Sequence, residues 1–197
     1  CGIPTAYESY EELLEDPTID VIYIPLPNDM HKEWSIRAAR AGKHVLCEKP
    51  AVLQASDLEE ILSVFKEQNK LFMEAFMYQF HPQHARVKEI LASGEIGEVK
   101  LYKSSHSFFF ENRNDNIRMD QSKGGGAIWD VGCYSLHAMN LILGMPAEKV
   151  SFKAIFDAQT GVDVSAFGTL QLENGVTALI DCSFDMVGRN EYEIVGT

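Results

Sequence analysis

The chain has 197 residues, 46% of them hydrophobic, and a formal net charge of −12. That length accommodates a sizeable core, and scattered carboxylates with no basic run exclude a nucleic-acid or anionic-membrane footprint, so a small-molecule partner is expected. Four widely spaced cysteines (Cys1, Cys47, Cys133, Cys182) without a CxxC pair fit free thiols in a reducing cytoplasm, and neither membrane spanning nor secretion is expected.

The first third alternates helix and strand signals. "SYEELLEDP" starts on a possible cap, Ser9, and "DVIYIPLP" is an almost wholly apolar run rich in β-branched and aromatic residues. "HKEWSIRAARAG" reads as a helix stopped by Gly42, followed by the strand "HVLCE". "SDLEEILSVFKEQN" places Ser56 as a cap before a helix with apolar Leu58, Ile61, Leu62 and Phe65, and "KLFMEAFMYQF" reads as a third strand. This rhythm predicts a parallel sheet with crossover helices.

After Phe80 the rhythm changes. One helix ends at Gly94, the strand "EVKLYKSSHSFFF" follows, and Glu111 to Lys123 is a polar loop without clear period. Three glycines, Gly124 to Gly126, lead into the long helical pattern "AIWDVGCYSLHAMNLILG". "KVSFKAIFDAQTG", "VDVSAFGTLQLENG", "VTALIDCSFDMVGRN" and "EYEIVGT" then alternate as strands. The fold class expected is α/β plus α+β: the C-terminal part of a Rossmann parallel sheet at 1–80, then a mostly antiparallel sheet with helices at 81–197, both incomplete.

Chemistry is expected beyond the carboxyl ends of the parallel strands, where ligands of such sheets bind. "IPLPNDMH" places Pro27, Asn28 and His31 there, though a turn and helix cap explain Asn28 and Asp29 equally well. "HVLCEKPAVL" ends an apolar strand on Glu48, Lys49 and Pro50; these are either ordinary solvated loop charges or a cation held in a cleft with a proline fixing the turn. On a helix, Asp130, Tyr134 and His137 share one stripe, as a cleft requires, while a cap, a packing tyrosine and a core histidine are the structural alternatives. His81 and His84 in "HPQH" lack the further ligands of a zinc site, no GxSxG elbow is present, and the glycine triplet follows a loop where a phosphate cradle follows a strand.

Taken together, "YIPLPNDMH", "AGKHVLCEKP", "EAFMYQFHPQH" and "GGGAIWDVGCYSLHAMNLILG" resemble, in order and spacing, the glucose-fructose oxidoreductase, inositol dehydrogenase and MocA family over nearly the whole chain. The resemblance implies an NAD- or NADP-dependent oxidoreductase moving a hydride between nicotinamide and a carbinol or carbonyl of a sugar, polyol or cyclic diol. It implies that Lys49 is catalytic and joined to Pro50 by a cis bond, and that Pro27, Asn28, His31, Glu48, Lys49 and Pro50 contact cofactor. It further implies that Asp130 and Tyr134 are catalytic, facing Lys49 across the cleft. Tyrosine at 134 sides with the dihydrodiol dehydrogenase-like branch. An adjacent ammonium favours the phenolate, suiting Tyr134 as general base and Lys49 as the alkoxide's partner. His137, Gln79, Phe108 and Phe109 are the substrate-binding candidates, and no metal is expected.

Gln79 stands where relatives frequently carry arginine. The chain also reads as an internal fragment: the glycine-rich dinucleotide loop of the family precedes the segment matched by "CGIPTAYESYEELL", so the segment alone is expected to bind cofactor poorly and to be inactive. The intact protein is expected to be a cytoplasmic homo-oligomer, associating through the open face of its second sheet. A non-catalytic cofactor sensor of the same fold is the alternative function, and a zinc hydrolase a third.

Overall fold

The computed structural model describes residues 2–197, so Cys1 lies outside the described residues. The chain divides into two compact units, Cys1–Ala75 and Phe76–Thr197.

In the first unit, helix α1 (Tyr10–Glu15) opens with the Ser9 hydroxyl accepting the Glu12 N–H at 3.2 Å. Strand β1 (Val21–Ile24), helix α2 (His31–Arg40), strand β2 (His44–Cys47), helix α3 (Ala55–Glu67) and strand β3 (Phe72–Glu74) follow. The strands are parallel in the order β1-β2-β3, as the alternating signals predicted. Ile24, Val45 and Cys47 pack with Ile36, Ala38 and Ala39 of α2 and Ile61, Val64 and Phe65 of α3 and form the packed face of the sheet, whereas Val21, Tyr23 and Met73 at the alternate positions stand 58%, 52% and 38% exposed. Register places Ile24 beside Cys47 and Cys47 beside Glu74, so all three strands finish level on one edge.

Two sequence expectations change here. Helix α3 begins at Ala55 after Gln54, so Ser56 lies inside its first turn and does not cap it. The third strand stops at Glu74: the Ala75 N–H donates to the Cys47 carbonyl at 2.7 Å, and Met77–Phe80 then coil into a 3-10 turn. A short apolar run carries no period that separates these two conformations.

The second unit contains helix α4 (Pro82–Ser93), strand β4 (Leu101–Phe109), helix α5 (Cys133–Leu143) and strands β5 (Ala147–Phe156), β6 (Asp163–Leu172), β7 (Thr177–Ser183) and β8 (Asp185–Val195). The sheet order is β5-β6-β7-β4-β8, antiparallel throughout except for the β4–β7 pair. Met139 of α5 packs on Tyr102, Leu170, Ala178 and Ile180 of the sheet, while the Ser104 hydroxyl donates to the Ser135 hydroxyl at 2.9 Å.

The break between β7 and β8 falls at Phe184, six residues before the sequence reading placed it. Its side chain is fully buried, and its main chain donates to Val164 O and accepts from the Phe110 N–H. The chain thereby passes around the end of β4, pairing with one side of that strand before Ser183 and the other after Asp185.

The glycine triplet does not cradle an anion. Gly125 and Gly126 N–H groups donate to the Asp120 and Arg118 carbonyls at 2.9 Å, and a Cβ on Gly125 would lie 2.5 Å from Arg118 O. The following residues, Ile128–Gly132, form a π turn before α5. Asp163 of β6 supports this entry, its carboxylate accepting the Ile128 N–H at 2.7 Å.

Burial raises the Asp163 pKa above the ordinary aspartate value, against the lowering effect of the Ile128 and neighbouring N–H groups. The folded state therefore holds this proton more tightly than the unfolded chain. Its stabilising contribution is complete below the unfolded value of about 3.9 and is lost as pH rises through the raised folded value. Urea unfolding across that acidic window is expected to show wild type losing stability relative to Asp163→Asn as pH increases; parallel curves would contradict this.

Candidate active site

Because β1 and β2 end level, the loops that follow them emerge on the same edge of the first sheet. Pro27 opens a 3-10 turn, Asn28–Met30, and half-buried Asn28 leads it. After β2 come half-buried Glu48 and Lys49, then buried Pro50; the Lys49–Pro50 bond is cis. The Glu48 N–H donates to the Ile24 carbonyl at 3.0 Å, so β2 reaches one residue further through its main chain. The Glu48 carboxylate accepts the Tyr23 hydroxyl at 2.5 Å and the Lys49 N–H at 3.3 Å. Glu48, expected at the cofactor, thus already has a protein partner that the sequence did not suggest.

His31 departs further from expectation. The resemblance places it against the cofactor, but its ring is fully buried, with Nδ1 2.8 Å from the Pro50 carbonyl oxygen and Nε2 2.7 Å from that of Leu26. Both nitrogens are engaged by the protein's own backbone, leaving no ring donor for a ligand. Neighbouring Cys47 is also inert: burial pushes its thiol up to about 12, so it is neither nucleophile nor ligand at neutral pH.

In the second unit, the other candidates gather around the start of α5. Asp130 sits in the π turn and its carboxylate accepts the Arg118 Nε–H at 2.7 Å, an ion pair in which the Asp130 side chain is 16% exposed. Arg118 comes from the polar loop that offered no periodic signal. Half-buried Tyr134 lies on α5, its ring centroid 5.4 Å from Phe76, 5.8 Å from Tyr78 and 5.0 Å from His106. His137 stacks on Phe76 at 4.0 Å, and its Nδ1 is 2.6 Å from the Tyr78 hydroxyl, which also reaches the Tyr134 carbonyl at 3.3 Å.

Burial first, and the nearby His84 second, lower the His137 pKa; this favours a neutral ring whose Nδ1 accepts the Tyr78 proton. Burial raises Tyr78 as well, keeping it protonated as donor. Tyr78, from "EAFMYQFHPQH", is thus a member of the cluster, although no spacing in that segment marks it out. Gln79 is half-buried in the same 3-10 turn.

The phenylalanine triplet divides. Half-buried Phe108 packs against the core beside Phe110 and Phe184, whereas Phe109 is 60% exposed at the end of β4. The histidines of "HPQH" serve structure: His81 caps α4 by accepting the Gln83 N–H, and buried His84 contacts the Tyr192 hydroxyl at 3.1 Å. Among the described residues no three His, Cys, Asp or Glu side chains are grouped to hold a metal ion, and no helix is long and apolar enough to cross a membrane.

Residues 1–76 match the domain described as "Oxidoreductase family, NAD-binding Rossmann fold", which sets the first unit among oxidoreductase domains. Residues 84–197 match the "GFO/IDH/MocA C-terminal domain". The chain belongs to the GFO/IDH/MocA oxidoreductase family, as its motifs implied. It is 41% identical over its full length to D-xylose 1-dehydrogenase (NADP(+)) 2 of Haloferax volcanii, of which it spans 60%. It is 33% identical, again over its full length, to trans-1,2-dihydrobenzene-1,2-diol dehydrogenase of Xenopus tropicalis, spanning 59% of that protein. A 3-ketoreductase from Actinomadura kijaniata, solved with NADP and TDP-benzene, superposes with a TM-score of 0.89 at 36% identity, covering 97% of this chain and 58% of its own.

Proposed function

We infer that the intact protein is an NAD(P)-dependent oxidoreductase that moves a hydride between nicotinamide and a carbinol or carbonyl carbon of a sugar-like or cyclic diol substrate. The observation that carries this reading is the level finish of β1 and β2, which brings Asn28, Glu48 and Lys49 to one sheet edge. An amide, a carboxylate and an ammonium suit the hydroxyls and carboxamide of a nicotinamide riboside. D-xylose 1-dehydrogenase (NADP(+)) 2 is named for NADP and the 3-ketoreductase is solved with it, while a similar structure from Listeria innocua is named an NAD-binding protein; NADP is the first choice over NAD.

When bound, nicotinamide supplies the hydride acceptor or donor. Lys49 is assigned to the charge that develops on the substrate oxygen, and Tyr134 to the proton at that oxygen. Asp130, held by Arg118, is assigned an orienting role, and Gln79, His137, Phe108 and Phe109 remain the substrate-binding candidates. Association of like subunits through the outer face of the second sheet belongs to the same proposal; Phe167 and Leu179 stand 37% and 40% exposed on it.

The test is an assay of the full-length protein with NAD+ and NADP+ against aldoses, polyols and trans-dihydrodiols, D-xylose among them. Reduced nucleotide is expected to accumulate with at least one such substrate, faster with NADP+. Tight cofactor binding without turnover anywhere in the panel would point to the sensor alternative and contradict the enzyme reading.

A further inference from the structure

Resting on the reading of Lys49 as the lysine that acts on substrate, we propose that His31, as a buried imidazolium, is a positioning residue that fixes the Lys49 turn and ties it to the Asn28 loop. Both ring nitrogens lie within 2.8 Å of backbone carbonyl oxygens, Pro50 O at Nδ1 and Leu26 O at Nε2. A carbonyl oxygen only accepts. A neutral imidazole has one N–H, so either contact would then set two lone pairs against each other; only the doubly protonated ring donates to both. The ring is fully buried, so no water replaces either contact.

The two acceptors give the clamp its purpose. Leu26 precedes Pro27 and Asn28, while Pro50 follows Lys49, so one ring joins the two loops that carry the cofactor candidates. Glu74, at the end of β3, completes the grip: its carboxylate accepts the Ala51 N–H at 2.7 Å. The peptide unit between Pro50 and Ala51 is therefore held at its oxygen by His31 and at its N–H by Glu74. With both ends fixed, that peptide plane cannot rotate, and the backbone carrying the Lys49 ammonium is set from behind.

Burial raises the Glu74 pKa, and the nearby His31 works against that rise, so a charged ring favours the Glu74 carboxylate that holds the Ala51 N–H. Charged groups on the adjoining segments are Asp29 in the turn before His31, Glu48 and Lys49 on the turn after β2, and Lys32, which is turned to Asp57 and Glu60 of α3. His31 is also the first residue of α2, where the helix dipole disfavours a cation, so the two carbonyls and Glu74 must outweigh that effect.

Two measurements on the full-length protein decide the matter. Nitrogen-15 NMR of the wild-type histidine rings, with His31→Phe used for assignment, is expected to show both His31 nitrogens protonated at neutral pH; a single protonated nitrogen overturns the clamp. In steady-state kinetics, His31→Phe is expected to lower kcat about 100-fold with little change in substrate KM, because the lysine is misplaced and not removed. Turnover within a factor of about two of wild type also overturns it. If the phenylalanine variant does not fold, the remaining histidine variants supply the assignment by elimination and the wild-type ring spectrum still decides. If wild type shows no turnover, the reading of the reaction fails, while the ring spectrum continues to judge the clamp.

Discussion

Lys49→Met in the full-length protein is expected to lower kcat about 100- to 1,000-fold, the usual effect of removing one group that stabilises a developing oxyanion. The expectation rests on where the side chain sits. It leaves the chain at the carboxyl edge of a parallel sheet, half-buried, on a turn whose following peptide is gripped by His31 and Glu74. Such a grip would be wasted on a freely solvated surface lysine. Tyr134→Phe is expected to act similarly, about 100- to 10,000-fold as the loss of a positioned general base, while the phenyl ring keeps the contacts with Phe76, Tyr78 and His106. Cofactor titration by nucleotide fluorescence should find both variants close to wild type. Near-normal turnover in both would remove them from the chemistry, and a lost affinity would reassign Lys49 to binding.

Phe184→Ala should cost about 3–5 kcal/mol of stability, the range for truncating a large buried aromatic. Phe184 has no exposed surface and meets Phe108 and Phe110 at centroid distances of 5.4 and 5.7 Å. It also stands at the corner where β7 becomes β8, so surrounding backbone committed to pairing on both sides of β4 has little freedom to close the cavity. Urea denaturation followed by circular dichroism measures the loss. A cost below about 1 kcal/mol would mean that the corner collapses around the smaller side chain.

The parallel half of the fold was legible because its strands are short apolar runs, although only one face of them is packed: Ile24, Val45 and Cys47 meet the helices while Val21 and Tyr23 stand 58% and 52% exposed. Val21–Ile24 and His44–Cys47 are short, mostly apolar runs, and α2, which ends at Arg40, is followed by Gly42, whose φ of +79° suits glycine. The mixed sheet was legible as strands but not as an order, since nothing local to Leu101–Phe109 says that its neighbours come from 177–195. The same limit applied at the site. His31 was visible as a chemically capable residue beside a strand end, but its burial depends on carbonyls five and nineteen residues away. Asp130 was visible on the helical stripe, yet its partner Arg118 arrives from an aperiodic loop. Phe108 and Phe109 were indistinguishable by type, and only the pleat, which sends neighbours to opposite sides, packed one against the core and left the other exposed.

The position of β4 also bears on how the protein is made. Its two hydrogen-bonded neighbours lie about as far along the chain as a small domain is long, Tyr102 pairing with Ala178 and Ile194. On the ribosome, then, one edge of β4 waits until β7 has emerged and the other until β8 has, whereas the β1-β2-β3 layer pairs through crossovers of ordinary length. Aggregation of nascent chains is expected to depend on this interval, and slowing translation between β4 and β8 should lower soluble yield more than slowing it within the first unit.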